Sequence, residues 1–467
     1  MNSLNKTSPS KVLLISFVVL TISLLIGVSG YFFISPYSAL YVGVIFCLFP
    51  ILFFWIKKPA AALYVILFIT LIPYGMIPPV VNDYLYRILT IVVPIIWLFD
   101  VIRRREIITF NITALLMFTF LIWGIITLFW SSNISVGIFF LQTYFVRVVV
   151  FLLLVLNLVR TEEKLDGLMN ILALAAWLLV FATVFTIITT GYSPGMRLKV
   201  FGENENSLGI LALITMVGVA WKASQASNPN VKYWKLMAYL YIFAAIAITA
   251  VSGSRGSFIS LLVTFTAFWF WKATRVLGKV SFLYLIIIGL ILPFMYKTVI
   301  DRFMIIDLTN TLLGGREALW SAAWLYIKNN PWIGVGIGNS NYVMLNYLQL
   351  FRSTQGLEYA SVHNPILTIW METGIPGLML YLGGLVSALV LFIRQYNKHN
   401  RMNNDHLKPY FGIVAAVFLG YMFSWIKGGG VESSNTYFLM LALLLLPSGY
   451  FSKQSFDQSN KKSITVG

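Results

Sequence analysis

Runs of about twenty apolar residues recur along almost the whole chain, and they constrain its fold more than any motif in it. A bilayer core is about 30 Å thick, and a helix needs roughly 20 apolar residues to cross it. Fourteen apolar segments can be read, near residues 12–34, 38–56, 59–80, 86–102, 112–130, 136–159, 167–190, 207–221, 236–252, 257–271, 280–296, 364–393, 409–426 and 436–450. Twelve to fourteen spans are therefore expected. The runs are continuous, whereas the strands of a membrane β-barrel alternate over about ten residues, so a barrel is excluded. Composition agrees: 59% of the 467 residues are hydrophobic and 10% charged, and the mean hydropathy of +0.84 is far from that of a soluble domain. The first run, Val12 to Phe33, is too long for a signal-peptide core and lacks a small-residue cleavage site, so it reads as a retained span. The expected fold is an all-α, polytopic transmembrane helical bundle with one large extracytoplasmic loop. Its parts are N-terminal transmembrane helices over 1–190, a core over 191–450 containing the loop 297–362, and a cytoplasmic tail over 451–467.

The net charge of +17 has two readings, a nucleic-acid partner or a topology signal. With the N-terminus in the cytoplasm and the segments alternating, 22 of the 33 lysines and arginines fall inside, Arg147 lies within a span and ten fall outside. The inner set forms tight clusters such as Arg103-Arg104-Arg105, as the positive-inside rule requires. The chain is thus expected to be a multi-pass membrane protein, with both termini cytoplasmic and no nucleic-acid partner. Its single cysteine, Cys47, lies in an apolar run, which excludes an internal disulfide and a cysteine-cluster metal site.

That orientation leaves outer cations that topology does not need. They lie in the segment from Gly195 to Asn206, which carries Arg197 and Lys199, in Ser252-Gly-Ser-Arg255-Gly-Ser257, and in the long loop from Lys297 to Val362. A connector that long is functional or has structure of its own. Within it, Trp320, Ala323, Trp324 and Ile327 are spaced as one apolar face of a helix over Arg316 to Asn330, which is expected to lie in the membrane interface. Pro331-Trp-Ile-Gly334-Val-Gly336-Ile-Gly338-Asn339 is not a dinucleotide fingerprint, since no strand precedes it, and reads as a tight turn where backbones pack closely.

His363, at the end of this loop, is the one histidine expected outside. It is either a satisfied structural residue or a general base at the membrane–water boundary. The outer arginines either snorkel to headgroups or bind phosphate with their planar forks. Arg255, between Ser-Gly and Gly-Ser, and Arg316, after Gly-Gly, suit an anionic lipid headgroup, most simply a phosphate or diphosphate. No outer group of Asp, Glu and His has metal-ligand spacing, so neither metal nor cofactor is expected. Two charges, Arg147 and Glu372, sit within apolar runs; Glu372 reads as the structural partner of an arginine in preference to a catalyst.

In order along the chain, Gly202-Glu-Asn-Glu-Asn206, Ser254-Arg255-Gly-Ser257, Gly315-Arg316-Glu-Ala-Leu-Trp320, the glycine-rich segment 331–339 and His363-Asn364-Pro-Ile-Leu-Thr-Ile-Trp-Met-Glu372 resemble the O-antigen ligase and O-antigen polymerase superfamily. The resemblance covers roughly 190–380 and rests on order and spacing, not on any single motif. It implies a membrane glycosyltransferase that transfers or polymerises an undecaprenyl-diphosphate-linked glycan onto a glycan or lipid acceptor, without metal, in O-antigen, teichuronic acid or exopolysaccharide biosynthesis. Under it Arg255 and Arg316 bind the diphosphate, His363 activates the acceptor hydroxyl, and Arg197, Asn206, Asn364 and Arg147 contact substrate. The competing readings are a lipid-linked polysaccharide flippase or transporter, which lacks support in inverted repeats or many intramembrane charges, and a non-enzymatic assembly scaffold.

Overall fold

The computed structural model describes residues 51–192, 197–225, 230–295, 316–351, 354, 360–401, 406–428 and 435–447. The expected 12–34 span, most of 38–56, the loop entry 297–315 and the tail 451–467 lie outside them. The chain forms two compact units, one from residues 1–63 and 92–107, the other from 64–91 and 108–467. In the first, Asp100 accepts from Arg103 and Arg104 at 2.6 and 2.8 Å in the last turn of the Pro79–Arg104 helix. Every candidate site residue belongs to the second unit.

Among the described residues all regular structure is helical. Eight helices are long and apolar enough to cross a membrane, and a ninth if the bent pair Ile51–Lys57 and Pro59–Leu71 is one span. The expected polytopic helical bundle is what the sequence forms. The expected 59–80 span stops at Leu71, because Pro73 and Pro78 bracket a short 3-10 turn at Tyr74–Met76. The expected 257–271 and 436–450 segments are the shorter helices Arg255–Phe270 and Asn435–Pro447. Arg394 to Arg401, expected in a loop, continue the Pro365–Arg401 helix.

Local sequence sets the helix ends. Asn111, Asn133, Thr161, Asn204 and Ser254 each accept an amide of the first turn of the helix that follows. Small residues let helices approach. The Arg255–Ala267 helix lies along Lys408–Gly428, where a Cβ on Gly420 would collide with the Ser260 carbonyl and the Thr264 hydroxyl. Large apolar side chains such as Ile122, Phe139, Phe181 and Ile188 are exposed, as side chains facing lipid are.

Loops expected on one side of the membrane meet one another. On the expected outer side, the Tyr74 amide donates to Glu203 at 3.0 Å and the Leu198 amide to the Val251 carbonyl at 3.0 Å. On the expected inner side, the Trp221 indole donates to Asp166 at 3.0 Å and His406 lies 4.0 Å from Glu162.

The long loop folds on itself. Arg316–Asn329 is a helix, as its spacing predicts, and Ser340–Leu348 is a second that the sequence did not announce. Leu319, Ala322, Ala323, Tyr326 and Ile327 of the first pack with Met344, Leu348, Ala360, Val362 and Met371 in a small core of the loop's own. Of the expected face, Ala323 and Ile327 are in that core and Trp320 packs half-buried against it, whereas Trp324 is 52% exposed and packs edge-on against Trp370. Leu319, Ala322 and Tyr326 widen the buried face beyond the expected stripe.

The glycine-rich segment then crosses a break in the Pro365–Arg401 helix. Gly374 has φ 67° and ψ −171°, which interrupts the helical ladder. Across it the Val335 and Gly336 amides donate to the Met371 and Glu372 carbonyls at 2.8 and 2.9 Å, and the Ile375 amide donates to the Pro331 carbonyl at 3.0 Å. Gly334, Gly336 and Gly338 also have positive φ, and a Cβ on Gly336 would lie 2.7 Å from Ser131 Cα. The tight-turn reading therefore holds, and the turn's partner is a broken helix. The buried Asn339 side chain completes the crossing through Ser131, Ser132 and Asn133, with 2.6 Å from its amide nitrogen to Ser131 Oγ.

Gly374→Ala is predicted to lower the unfolding temperature of the detergent-solubilised protein strongly. The positive φ alone costs about 1–3 kcal/mol, and the new Cβ would meet the Trp332 carbonyl. Gly289→Ala, into open space, is the control; equal melting of the two variants would contradict the crossing.

Candidate functional site

The Arg255–Ala267 helix begins after Ser254, whose hydroxyl caps the Ser257 amide at 3.3 Å. That turn is locked from the side. The Arg197 guanidinium donates to the Ser252 carbonyl and to Asn206 Oδ1, both at 3.1 Å, and lies 3.9 Å from Glu205. Asn206 Oδ1 also accepts from Ser254 Oγ at 2.9 Å, and the Asn206 carbonyl accepts from Ser257 Oγ at 3.2 Å. Arg197 and Asn206, expected to contact substrate, thus hold the turn that presents Arg255, whose side chain is exposed.

Arg316 is the first residue of its helix, and its guanidinium donates to the backbone carbonyl of Lys427 in the last turn of Lys408–Gly428. Partial burial draws its pKa below the usual arginine value. Arg316 and Arg255 both lie within electrostatic range of Lys427. The ends of three elements far apart in sequence therefore bring their cations together.

His363 closes the arrangement. It has φ 50°, a left-handed conformation that costs a residue with a Cβ about 1–2 kcal/mol. Both neighbours are pinned. The Val362 carbonyl accepts the Trp320 indole N–H at 3.2 Å, and Val362 is buried in the loop core. Asn364 Oδ1 accepts the Ile366 and Leu367 amides at 3.0 and 3.2 Å, so it caps the Pro365–Arg401 helix. Asn364, expected to contact substrate, has its carbonyl oxygen committed to this cap. Desolvation first, and the positive charge of Arg316 second, hold the His363 imidazole below its ordinary pKa of 6.5. It is neutral at pH 7 and able to accept a proton.

Arg147 lies in a different polar neighbourhood. It is thirteen residues into the helix that starts at Ile134, roughly 20 Å along it. Its Nε donates to Asn435 Oδ1 at 2.9 Å, an oxygen that also takes the Tyr86 hydroxyl at 3.4 Å. Glu372 is buried, and its carboxylate accepts the Ser340 hydroxyl at 2.7 Å and the Ser340 amide at 3.4 Å. This acid anchors the start of the Ser340–Leu348 helix beside the glycine crossing.

Two residues at the site escaped the sequence reading. Trp320 was placed on an interfacial face, but its indole holds the histidine segment. Lys427 was counted only as an outer cation; its sequence Lys427-Gly-Gly-Gly430 echoes Gly314-Gly-Arg316, a signal that was available.

Residues 240–382, which contain Arg255, Arg316 and His363, match the family model described as O-Antigen ligase. The teichuronic acid biosynthesis protein TuaE of Bacillus subtilis is 21% identical over 399 residues, 78% of this chain and 78% of that protein. An uncharacterized protein of Haemophilus influenzae is 26% identical over 182 residues, 35% of this chain; the match spans 45% of that relative's length.

The His363–Arg316 coupling has a direct chemical readout. The pH dependence of diethyl pyrocarbonate modification at His363, followed by peptide mass spectrometry, is predicted to have a midpoint below 6.5. Arg316→Gln removes a repelling charge from the protonated imidazole, so the midpoint should rise toward 6.5. An unmoved midpoint would show that the two groups are not coupled.

Proposed function

As a member of the O-antigen ligase and polymerase superfamily with a function in membrane glycan biosynthesis, the protein, we propose, is a glycosyltransferase that moves a glycan from undecaprenyl diphosphate to an acceptor hydroxyl on the extracytoplasmic face of a bacterial cell membrane. One observation carries the reading most directly: a neutral histidine held beside an arginine that reaches the end of the Lys408–Gly428 helix, with Arg255 arriving at the same place.

The reaction follows from those groups. The acceptor oxygen attacks the anomeric carbon of the first sugar while the bond from that carbon to the diphosphate oxygen breaks. The hydroxyl proton passes to the neutral imidazole of His363, and the departing diphosphate keeps the bonding electrons. Arg255 and Arg316 neutralise the charge that grows on it. His363 then returns its proton to solvent. A single displacement of this kind inverts the anomeric centre. No separate activation of His363 is required, because burial and Arg316 already keep it deprotonated at neutral pH. Arg197, Asn206 and Asn364 hold the Arg255 turn and the His363 segment in register, and Arg147 contacts the donor within the bilayer. The acceptor is a second lipid-linked glycan in a polymerase or a lipid core in a ligase, and the same groups serve both.

His363→Ala and Arg316→Ala are predicted to lower glycosidic bond formation from a lipid-linked donor by about a hundredfold or more, while the protein still inserts and can be purified. The measurement is product formation by purified protein in detergent. Wild-type rates in both variants would defeat the assignment, and donor movement across vesicles without bond formation would indicate a transporter.

A further inference from the structure

We propose that Lys427 is a third cation of the diphosphate site, standing abreast of Arg255 and tied through its own carbonyl to Arg316, so that its ammonium takes a phosphate oxygen of the lipid-linked donor. This rests on the transferase reading above. It assigns a substrate-binding role to a residue beyond the segment that matches the family model, which ends at 382.

The argument is one of register. The 255–267 and 408–428 helices lie side by side, with Gly420 seated against Ser260 and Thr264. The Arg255 end and the Lys427 end face the same way, so the pair is antiparallel. Seven residues forward from Gly420 is Lys427, and seven back from the middle of the Ser260–Thr264 turn is Arg255. Two turns of each helix, about 10 Å, therefore bring both side chains to the same level. Arg316 reaches that level from the loop and bonds to the Lys427 carbonyl.

A lysine in the last turn of a helix ordinarily stabilises the carbonyl end. Here Arg316 already takes the Lys427 carbonyl, and the ammonium lies 5.2 Å over the Phe423 ring. The charges of Arg316 and Arg255 both act on it unfavourably. Three cations at one level repel, and an anion carrying two or three charges adds an attraction to each that outweighs the repulsion. A diphosphate ester offers that charge with several acceptor oxygens; a carboxylate or a single phosphate diester does not. Lysine suits a third position because its ammonium is a compact point charge on a flexible stem, whereas the two arginines supply the planar forks.

Farnesyl diphosphate and farnesyl monophosphate are the probes, titrated against the full chain in detergent together with the Lys427→Gln and Lys427→Arg variants. Wild-type protein should bind the diphosphate more tightly than the monophosphate. Lys427→Gln should weaken diphosphate binding by about ten- to a hundredfold. It should also reduce the salt dependence of binding and leave the monophosphate nearly unaffected, while Lys427→Arg restores most of the affinity. A purely structural lysine would shift the unfolding temperature and leave the diphosphate-over-monophosphate preference intact. If wild-type protein prefers the diphosphate and Lys427→Gln keeps the full preference, this inference is overturned and the transferase reading stands. If wild-type protein shows no preference for the diphosphate, both fall.

Discussion

A helix broken inside or at the edge of a bilayer must find partners for the backbone groups it releases, because lipid offers none. The Pro365–Arg401 helix breaks at Gly374, and the segment from Pro331 to Gly336 supplies those partners through three backbone hydrogen bonds. The rest of the outer structure depends on this exchange. It fixes the middle of the long loop to the spans, and it places Glu372 where its carboxylate can start the Ser340–Leu348 helix. It also leaves the two ends of the loop, Arg316 and His363, to meet on one side. The positive φ values at Gly334, Gly336 and Gly338 are the conformations that let a polypeptide lie flat against another backbone in this way.

Electrostatics then sets what the meeting can do. Arg255 and Arg316 lie within electrostatic range of Lys427, and structure elsewhere holds them there: the Arg197–Asn206–Ser254 lock, the Arg316 bond to a helix-end carbonyl, and the loop core against which Trp320 packs. The same field acts on His363 in the opposite sense to a neighbouring carboxylate, favouring the neutral imidazole. A base kept neutral and cations kept close are complementary requirements for displacing an anionic leaving group with a hydroxyl.

Much of this was legible in the residues, for reasons that are physical. Membrane crossing needs continuous apolar length, so the spans announce themselves, and their alternation gives the loop pairs that meet, such as Tyr74 with Glu203 and Trp221 with Asp166. Arg255, Arg316 and His363 stood out because a charge or a base on the outer side has no role in topology. What failed to show was pairing across distance. Nothing local marks Lys427 as the neighbour of residue 255, since that follows from Gly420 seating against Ser260 and Thr264. The spacing in Arg316–Asn329 marks Ala323, Ile327 and Trp320 as the packed side, and only Trp324 departs from it, because close packing takes the smaller Ala322 in its place. A buried charge such as Glu372 invites a partner, and no sequence pattern marks Ser340, whose hydroxyl and amide donate to it.

Trp320 sits one turn after Arg316 on the same short helix, and its indole grips the residue before His363. Arg316 and His363 are consequently mounted on a single piece of the loop. Arg255 is mounted on the membrane-spanning scaffold. The Arg316 bond to the Lys427 carbonyl ties that piece to the same scaffold, so the spacing of the three groups is set by one helical turn and two hydrogen bonds.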